Sequence, residues 1–262
     1  MKVIVVQDYE AMSLKAAQII ASHVTLKSNS VLGLATGSTA VGMYDELVRM
    51  FERKQIDFNE VTTFNLDEYY PLNSKNENSY HAYMNAHLFG RINVPSESIH
   101  IPSGMADNVE FECQSYEERI QDAGGIDIQV LGIGRNGHIG FNEPDIKFEA
   151  RTHLVELDKK TIEDNSRFFS SIEEVPKHAI SMGVKTIMHA KKIMLLASGI
   201  EKSDAIYEMI HGKIVPTLPA SVLQLHPEVI VILDEAAASL LSFDAKGNVI
   251  ERKVETQIES IK

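Results

Sequence analysis

The stretch LGIGRNGHIGFNEP, residues 131–144, contains side chains that can move protons. His138 can act as a general acid or base near neutral pH, and Glu143 can fix its tautomer and support its protonated form. Asn136 lies two residues before the histidine. A lone loop histidine is more often structural or solvated, so the combination of the three is what indicates catalysis. A metal site is the weaker alternative, because the three lack a compact ligand spacing and no cysteine lies among them.

The first half of this stretch also satisfies the G-x-G-x-x-G pattern of a dinucleotide-binding turn, through Gly132, Gly134 and Gly137. That motif requires a helix of roughly ten or more residues to begin at the glycines. The residues that follow, HIGFNEPDIKFEA, contain Gly140 and Pro144 and have no helical periodicity. The pattern favours a catalytic loop, and a nicotinamide dinucleotide site remains the alternative.

Two acidic residues, Asp67 and Glu68, follow a predicted strand in TTFNLDEYY. An acid at the carboxyl end of a strand, facing a phosphate-binding turn, can serve as a proton-transfer base. The alternative is a surface turn with solvated acids. Residues 68–79, EYYPLNSKNENS, are predicted to be a loop-like insertion and a candidate lid over the acids.

The segment VLGLATGSTAVGMYDELV has the pattern of a strand that leads into an amphipathic helix. Gly37 permits a tight turn, Ser38 or Thr39 can cap the helix, and the N–H groups of residues 36–39, beginning at Thr36, can cradle a phosphate. The alternative is a helix that is merely capped. No Walker lysine follows, which disfavours a nucleoside triphosphate.

Two cations could complete an anion site. Lys202 lies in the first turn of a predicted helix, where the helix dipole disfavours a cation unless an anion is bound there. Arg167, at the end of TIEDNSRFF, is the second candidate. The alternative for both is a solvated surface charge.

Short β-rich runs alternate with helical patterns along the chain, and several strands are apolar on both faces, as is typical of a parallel sheet covered on each side. We predict an α/β fold, a doubly wound, mostly parallel, Rossmann-like sheet flanked by helices on both faces, in a single domain over residues 1–262. Ligands bind beyond the carboxyl ends of such strands, where the segments above lie. After about Asp244 we expect a polar tail that forms a small hairpin around residues 246–248 or frays. The strand runs are VIVV, VLGLAT, VTTFNL, IDIQVLGIG, THLVELD, KIMLLAS and VIVIL, and helices are expected at 9–26, up to about 54, and near 201–211.

Composition restricts the classes of function. Hydrophobic residues make up 44% and charged residues 24% of the 262, which is ordinary for a globular protein and excludes a disordered or fibrous chain. The net charge of −12 argues against a nucleic-acid partner. Cys113 is the single cysteine, so an internal disulfide is excluded, and the first residues lack a secretory h-region. No apolar run is long enough for a membrane span, and we expect a cytoplasmic protein.

Four segments together resemble the glucosamine-6-phosphate deaminase (isomerase) family over the chain up to about residue 240: GLATGST, FNLDEYYPL with the following NSY, LGIGRNGHIGFNEP, and SGIEKSDAI. The resemblance implies conversion of D-glucosamine 6-phosphate and water into D-fructose 6-phosphate and ammonium, without a metal, nicotinamide or pyridoxal cofactor. It implies that Asp67 is the base for enolisation and that Asn136, His138 and Glu143 serve opening of the sugar ring. It assigns the substrate phosphate to the following residues: Thr36, Gly37, Ser38, Thr39, Arg167 and Lys202. The family includes monomers and hexamers, so the oligomeric state stays open.

The sequence departs from the family pattern in two places. Many members have aspartate where this chain has Asn136, and an amide can orient His138 but cannot stabilise an imidazolium with a full charge. The basic residues of the allosteric site found in hexameric members correspond here to Ile146, His153 and Val155, so we expect no activation by N-acetylglucosamine 6-phosphate. The competing functions are a 6-phosphogluconolactonase-like hydrolase, which needs no base at Asp67, and a sugar-phosphate-sensing domain of a transcription regulator.

Overall fold

The computed structural model describes residues 1–166, 169–244, 247 and 249–250. The strands are β1 (Lys2–Val6), β2 (Val31–Leu34), β3 (Thr62–Asn65), β4 (Asp67–Tyr70), β5 (Ile99–His100), β6 (Ile128–Leu131), β7 (His153–Glu156), β8 (His178–Ser181), β9 (Lys192–Ala197), β10 (Val229–Asp234), β11 (Ser242–Phe243) and β12 (Val249–Ile250). The helices are α1 (Tyr9–Leu26), α2 (Ser38–Glu52), α3 (Tyr80–His87), α4 (Val109–Asp122), α5 (Lys159–Asn165), α6 (Val184–Met188) and α7 (Ser203–His211).

Seven strands form a parallel sheet in the order β1-β10-β9-β6-β2-β3-β5. The middle strands β2 and β6 are buried along their whole length, as continuous apolar runs predict for a sheet that is covered by helices on both faces. At the centre, Gly33 pairs with Phe64 on one side and with Gln129 on the other. The prediction of a doubly wound, mostly parallel α/β fold is confirmed.

A second, antiparallel sheet of three strands has the order β4-β8-β7. This sheet corrects the prediction that residues 68–79 are a loop-like insertion, because residues 68–70 belong to β4 and pair with β8. Tyr69 of β4 packs with Phe141, Leu157 and Ala179 in a small apolar cluster of its own. Burial of this aromatic side chain favours the strand over the loop that the later Pro, Asn and Ser residues suggest.

Several predicted boundaries can be compared with the structure. Helix α1 covers the predicted residues 9–26, and Asp8 caps it by accepting a hydrogen bond from the N–H of Ala11. Helix α2 ends at Glu52, two residues before the predicted end. Between β6 and β7 there is no helix, only an isolated bridge between Ile139 and Asn142, so the helix that a dinucleotide turn needs is absent. Strands β11 and β12 pair antiparallel at the position of the expected hairpin, while residues 245, 246 and 248 lie outside the described residues.

Candidate active site

The phosphate cradle predicted at residues 36–39 joins the carboxyl end of β2 to α2. Gly37 is the N-cap of α2 and has φ of 98°, a left-handed conformation that glycine adopts without strain. An added Cβ would meet no atom within 4 Å, so the dihedral angle, not crowding, requires glycine here. The prediction that Ser38 or Thr39 caps the helix is wrong, because both lie inside it and no side chain caps it. The N–H groups of Ser38 and Thr39, the first two of α2, have no carbonyl one helical turn earlier and can bind an anion, whereas that of Ala40 donates to the carbonyl of Gly37 at 3.2 Å.

Asp67 begins β4, and only Leu66 separates it from the end of β3 in the central sheet. Only 5% of its surface is exposed. It pairs in register with Ser181 of β8. Burial raises the pKa of Asp67 from 3.8 to about 8, and the neighbouring Glu68 carboxylate adds to the rise. A carboxyl group with such a pKa is a stronger base than an ordinary aspartate, as proton abstraction from carbon requires.

Glu68, by contrast, has a structural role. Its carboxylate is fully buried and accepts hydrogen bonds from the N–H groups of Tyr69, Tyr80 and His81 at 2.8–3.0 Å. The Nδ1 atom of His81 lies 2.8 Å from the same carboxylate. Glu68 thus ties the first turn of α3 to β4, and the alternative of a surface turn with solvated acids is wrong.

The loop after β6 owes its shape to three of its glycines. Gly137 and Gly140 have positive φ of 82° and 58°. A Cβ on Gly134 would lie 2.4 Å from Cε1 of His138, so only glycine lets the backbone pass this close to the imidazole. The N–H of Gly134 also donates to the carbonyl of His138, at 2.9 Å. The glycine pattern therefore places a histidine and not a pyrophosphate.

His138, Glu143 and Asn136 form one hydrogen-bonded group. Nδ1 of His138 lies 3.1 Å from Oε2 of Glu143, and the amide of Asn136 donates to the same oxygen at 2.8 Å. Oδ1 of Asn136 accepts the N–H of His138 at 3.2 Å. Burial raises the pKa of Glu143, but the hydrogen bonds from these residues and from Thr161 outweigh it and hold the pKa below its ordinary value. Glu143 is therefore ionised at neutral pH and can support a proton on the imidazole.

A cavity of about 290 Å³ brings the predicted residues together. Glu143 lies behind its wall, in contact with His138. Arg167 falls outside the described residues, so its place in the site stays a prediction. The predicted residues that line the cavity are Thr36, Gly37, Ser38, Thr39, Asp67, Asn136, His138 and Lys202.

The turn that carries Lys202 is shaped by a buried acid at the end of β10. Asp234 accepts two hydrogen bonds from the N–H of Gly199, at 3.0 and 3.1 Å, and one from the hydroxyl of Ser198 at 2.5 Å. Gly199 has φ of 95°, and the 3₁₀ turn Ile200–Lys202 follows it directly. Asp234 is not among the residues predicted from the sequence, although an acid at the end of a buried strand, VIVILD, could have indicated it.

Two further contributions to the site escaped the sequence analysis. Thr161 of α5 lines the cavity and donates a hydrogen bond to Oε1 of Glu143 at 2.5 Å. Phe141 and Phe169 line the cavity with Tyr69 and Tyr80, in an aromatic wall whose ring centroids lie 4.8–6.1 Å apart. These residues come from five separate places along the chain, so no local sequence pattern predicts them.

Neither a metal site nor a membrane helix is found in the described part of the chain. Among these residues, no three His, Cys, Asp or Glu side chains are grouped so that they could hold a metal ion. Within the same residues, no helix combines the length and the apolar character needed to cross a membrane. Cys113 is buried and free.

Comparison with known proteins identifies the family. Residues 7–231 match the sequence profile described as glucosamine-6-phosphate isomerases/6-phosphogluconolactonase. This chain belongs to the glucosamine-6-phosphate isomerase/6-phosphogluconolactonase family. A glucosamine-6-phosphate deaminase of Clostridium botulinum (strain Loch Maree / Type A3) is 60% identical over 242 residues, which cover 92% of this chain and 99% of that protein. The resemblance in the four segments is thereby confirmed.

Solved structures separate the two branches of this glucosamine-6-phosphate isomerase/6-phosphogluconolactonase family. A monomeric glucosamine-6-phosphate deaminase superposes with a TM-score of 0.89 at 48% identity, covering 92% of this chain and 100% of that one. A 6-phosphogluconolactonase from Leishmania guyanensis has a TM-score of 0.70 at 21% identity, covering 90% and 97%. At that identity the lactonase shares the fold alone.

Proposed function

We propose that this chain is a glucosamine-6-phosphate deaminase, which converts D-glucosamine 6-phosphate and water into D-fructose 6-phosphate and ammonium. The observation that carries the proposal is one cavity lined by the phosphate cradle, by the buried Asp67 and by His138. The names of the relatives at 60% and 48% identity support the same substrate.

Ring opening is the task of His138. The pyranose opens when a proton reaches the ring oxygen and another leaves the anomeric hydroxyl, and an imidazole can carry out both transfers. Glu143, held at 3.1 Å from Nδ1, supports the imidazole when it carries the proton. Asn136 keeps the carboxylate oriented by donating to the same oxygen. The product of this step is the open-chain aldehyde.

Isomerisation and deamination depend on Asp67. The aldehyde acidifies the C2 proton, which the carboxylate removes to give an enolamine. Return of this proton to C1 produces the C2 ketimine; water then adds at C2 and ammonia leaves, so that the ketone forms. One carboxyl group with a pKa of about 8 can both accept and return the proton near neutral pH.

The phosphate lies at the other end of the substrate, where the cradle and Lys202 line the cavity. Binding energy from this remote group orients C1 and C2 against Asp67, and orientation can lower a barrier by several kcal/mol, up to roughly 7–11 in ideal cases. We assign Arg167 to the same phosphate because it follows α5, whose Thr161 lies on the cavity wall. Lys202 faces an anion in this arrangement, which accounts for a cation at the N-cap of α7.

Two broader features belong to the same proposal. Residues 71–79 follow β4, and Glu77 and Asn78 among them line the cavity, which supports their role as a cover over the bound sugar. A cytoplasmic location is supported by the single cysteine, Cys113, which leaves no intrachain disulfide to form.

The decisive experiment measures ammonium and fructose 6-phosphate released from glucosamine 6-phosphate by the wild type and by Asp67→Asn. We expect stoichiometric products from the wild type and a loss of at least 10³-fold in kcat from the variant, since the amide cannot accept the C2 proton. Asp107→Asn, an exposed loop residue outside the cavity, is the matched control and should retain activity.

The alternatives have their own readouts in this experiment. Hydrolysis of 6-phosphogluconolactone by the wild type, without ammonium from the amino sugar, would establish the lactonase instead. Phosphosugar binding without turnover of either substrate would indicate a sensing domain. Retained affinity of Asp67→Asn for fructose 6-phosphate, together with lost ammonium release, excludes the sensing domain. Added NADH should show no fluorescence enhancement, and an enhancement would revive the dinucleotide alternative.

A further inference from the structure

Three buried or half-buried tyrosines from three helices converge on the backbone of the phosphate cradle. Each donates its hydroxyl to a main-chain carbonyl of the turn between β2 and α2 or of the first residue of α2. The bonds join Tyr44 Oη to Ala35 O at 2.5 Å, Tyr83 Oη to Gly37 O at 2.9 Å, and Tyr9 Oη to Ser38 O at 2.9 Å.

These bonds fix the orientation of peptide planes. In a trans peptide the carbonyl of one residue and the N–H of the next point in opposite directions, so a bond that holds the carbonyl also directs the N–H. The three carbonyls belong to the peptide units whose N–H groups are those of Thr36, Ser38 and Thr39. All three of these residues line the cavity.

The turn needs such support because Gly37 permits rotation. Glycine adopts positive and negative φ at similar energy, so the planes on either side of Gly37 could rotate and turn a carbonyl toward the anion. A carbonyl oxygen facing a phosphate repels it, whereas an N–H attracts it. A donor on the carbonyl of Gly37 removes that alternative.

Tyr9 of α1 makes an additional contact with α2. The N–H of Gly42 donates to its hydroxyl at 2.8 Å, so the hydroxyl bridges the carbonyl of Ser38 and the N–H four residues later. A Cβ on Gly42 would lie 2.3 Å from Oγ of Ser13 and 3.0 Å from Cε1 of Tyr9, which explains how α1 comes this close to α2. Tyr9 of α1 and Tyr83 of α3 therefore support the cradle from outside α2, whereas Tyr44 belongs to α2 itself.

We propose that Tyr9, Tyr44 and Tyr83 are positioning residues of the phosphate site, which hold the cradle carbonyls so that the paired N–H groups face a phosphate monoester. The inference rests on the proposed function, because that function assigns phosphate to the cradle. Burial raises the pKa values of Tyr44 and Tyr83 well above those of free tyrosine, so both remain protonated donors throughout the working pH range.

The first test is Tyr83→Phe, which removes one hydroxyl and leaves the ring. Loss of a neutral hydrogen bond of this kind typically changes an equilibrium constant about three- to tenfold. We therefore expect KM for glucosamine 6-phosphate to rise by about that factor, while kcat stays within about twofold of the wild-type value. The dissociation constant of inorganic phosphate, measured by isothermal titration on the same variant, should rise by the same factor. Tyr9→Phe should act in the same direction.

The matched control is Tyr116→Phe. Tyr116 is fully buried and donates its hydroxyl to the carbonyls of Asn65 and His100, at 2.7 and 3.1 Å, outside the cradle. The Tyr116→Phe variant loses the same chemical group, a phenolic hydroxyl. We expect it to have a lower melting temperature than the wild type and an unchanged affinity for phosphate. Tyr44 is also fully buried, so Tyr9 and Tyr83, which are half-buried, are the sites to vary.

The outcomes separate this inference from the proposed function. If the wild type binds inorganic phosphate but releases no ammonium, the proposed reaction is wrong, and a selective loss of phosphate affinity in Tyr83→Phe still supports the positioning role. If the wild type does not bind phosphate, if Tyr83→Phe lowers kcat alone, or if Tyr116→Phe weakens phosphate binding equally, the positioning role is overturned.

Discussion

Replacing the buried base should make the protein more stable at high pH while it abolishes turnover. The folded protein holds Asp67 with a pKa of about 8 instead of 3.8, chiefly because burial disfavours its charge. Between these two pH values the unfolded chain has lost the proton that the folded protein keeps, so folding takes up a proton and stability falls as the pH rises. Above pH 8 the folded protein carries the full penalty of a buried charge. In Asp67→Asn the amide has no proton to lose, so no buried charge forms at high pH and the variant avoids this penalty.

The pKa difference sets the size of the effect. A rise from 3.8 to about 8 corresponds to at most about 6 kcal/mol in the free energy of unfolding, reached above pH 8. Water entry and rearrangement around the ionised carboxylate reduce this, and we expect roughly 3 kcal/mol at pH 9. For a protein of this size that is a rise of about 6–12 °C in melting temperature.

The assay is thermal and urea unfolding of both proteins at pH 5, 7 and 9, followed by circular dichroism. The stability gain of Asp67→Asn should grow steadily with pH. Asp107→Asn, at an exposed position, should stay within about 0.5 kcal/mol of the wild type at each pH. A gain that is the same at pH 5 and pH 9, or a variant less stable than the wild type at pH 9, would refute the assignment of a buried, raised-pKa carboxyl to Asp67.

Four further predictions concern catalysis and regulation. The value of kcat/KM should rise with pH until Asp67 is ionised, giving a limb near pH 8 in the pH–rate profile. Thr161→Val should lower kcat by about tenfold, because Glu143 loses a charge-assisted hydrogen bond at 2.5 Å, and Thr161→Ser should restore it. Asn136→Asp should keep activity and move the histidine-dependent limb to higher pH, and an unchanged profile would show that His138 is not coupled to this position. Initial rates should depend hyperbolically on substrate, and a sigmoidal curve that N-acetylglucosamine 6-phosphate abolishes would contradict the loss of the allosteric charges.

The catalytic predictions need controls that report on folding. Thermal unfolding of Thr161→Val and Thr161→Ser should give similar melting temperatures. Valine keeps the β-branched shape of threonine in α5, and serine keeps its hydroxyl on a smaller side chain. A kcat that is low in both variants, or a valine variant as active as the wild type, would mean that the threonine hydroxyl does not position Glu143.

Local sequence patterns were sufficient for much of the fold. The run of residues 9–26 predicted α1 with the correct ends, since Asp8 caps it and the apolar period is helical. Continuous apolar runs predicted parallel strands such as β2 and β6, because only a doubly covered sheet buries both faces. The missing helix after Gly137 was also predictable, because Gly140 and Pro144 follow within seven residues.

Other elements depend on partners that are distant in the chain. Residues 68–70 were predicted to be part of a loop, but they form a strand because Tyr69 pairs with Ala179 of β8. The N-cap of α2 is Gly37 and not Ser38, because the turn before the helix needs a positive φ. Glu68 became a structural carboxylate only through the N–H groups of α3 that reach it. Local patterns contain no information about such contacts.

The sequence by itself determined the family, the α/β class and the set of residues able to move protons or bind phosphate, because short motifs and hydrophobic periodicity are local properties. Tertiary structure alone decided that Asp67 is buried with a raised pKa and that Thr161 supports Glu143. It also decided that tyrosines from three helices meet the cradle. The physical reason is that desolvation and hydrogen bonding act through space, and the groups that impose them are brought close only when the chain folds.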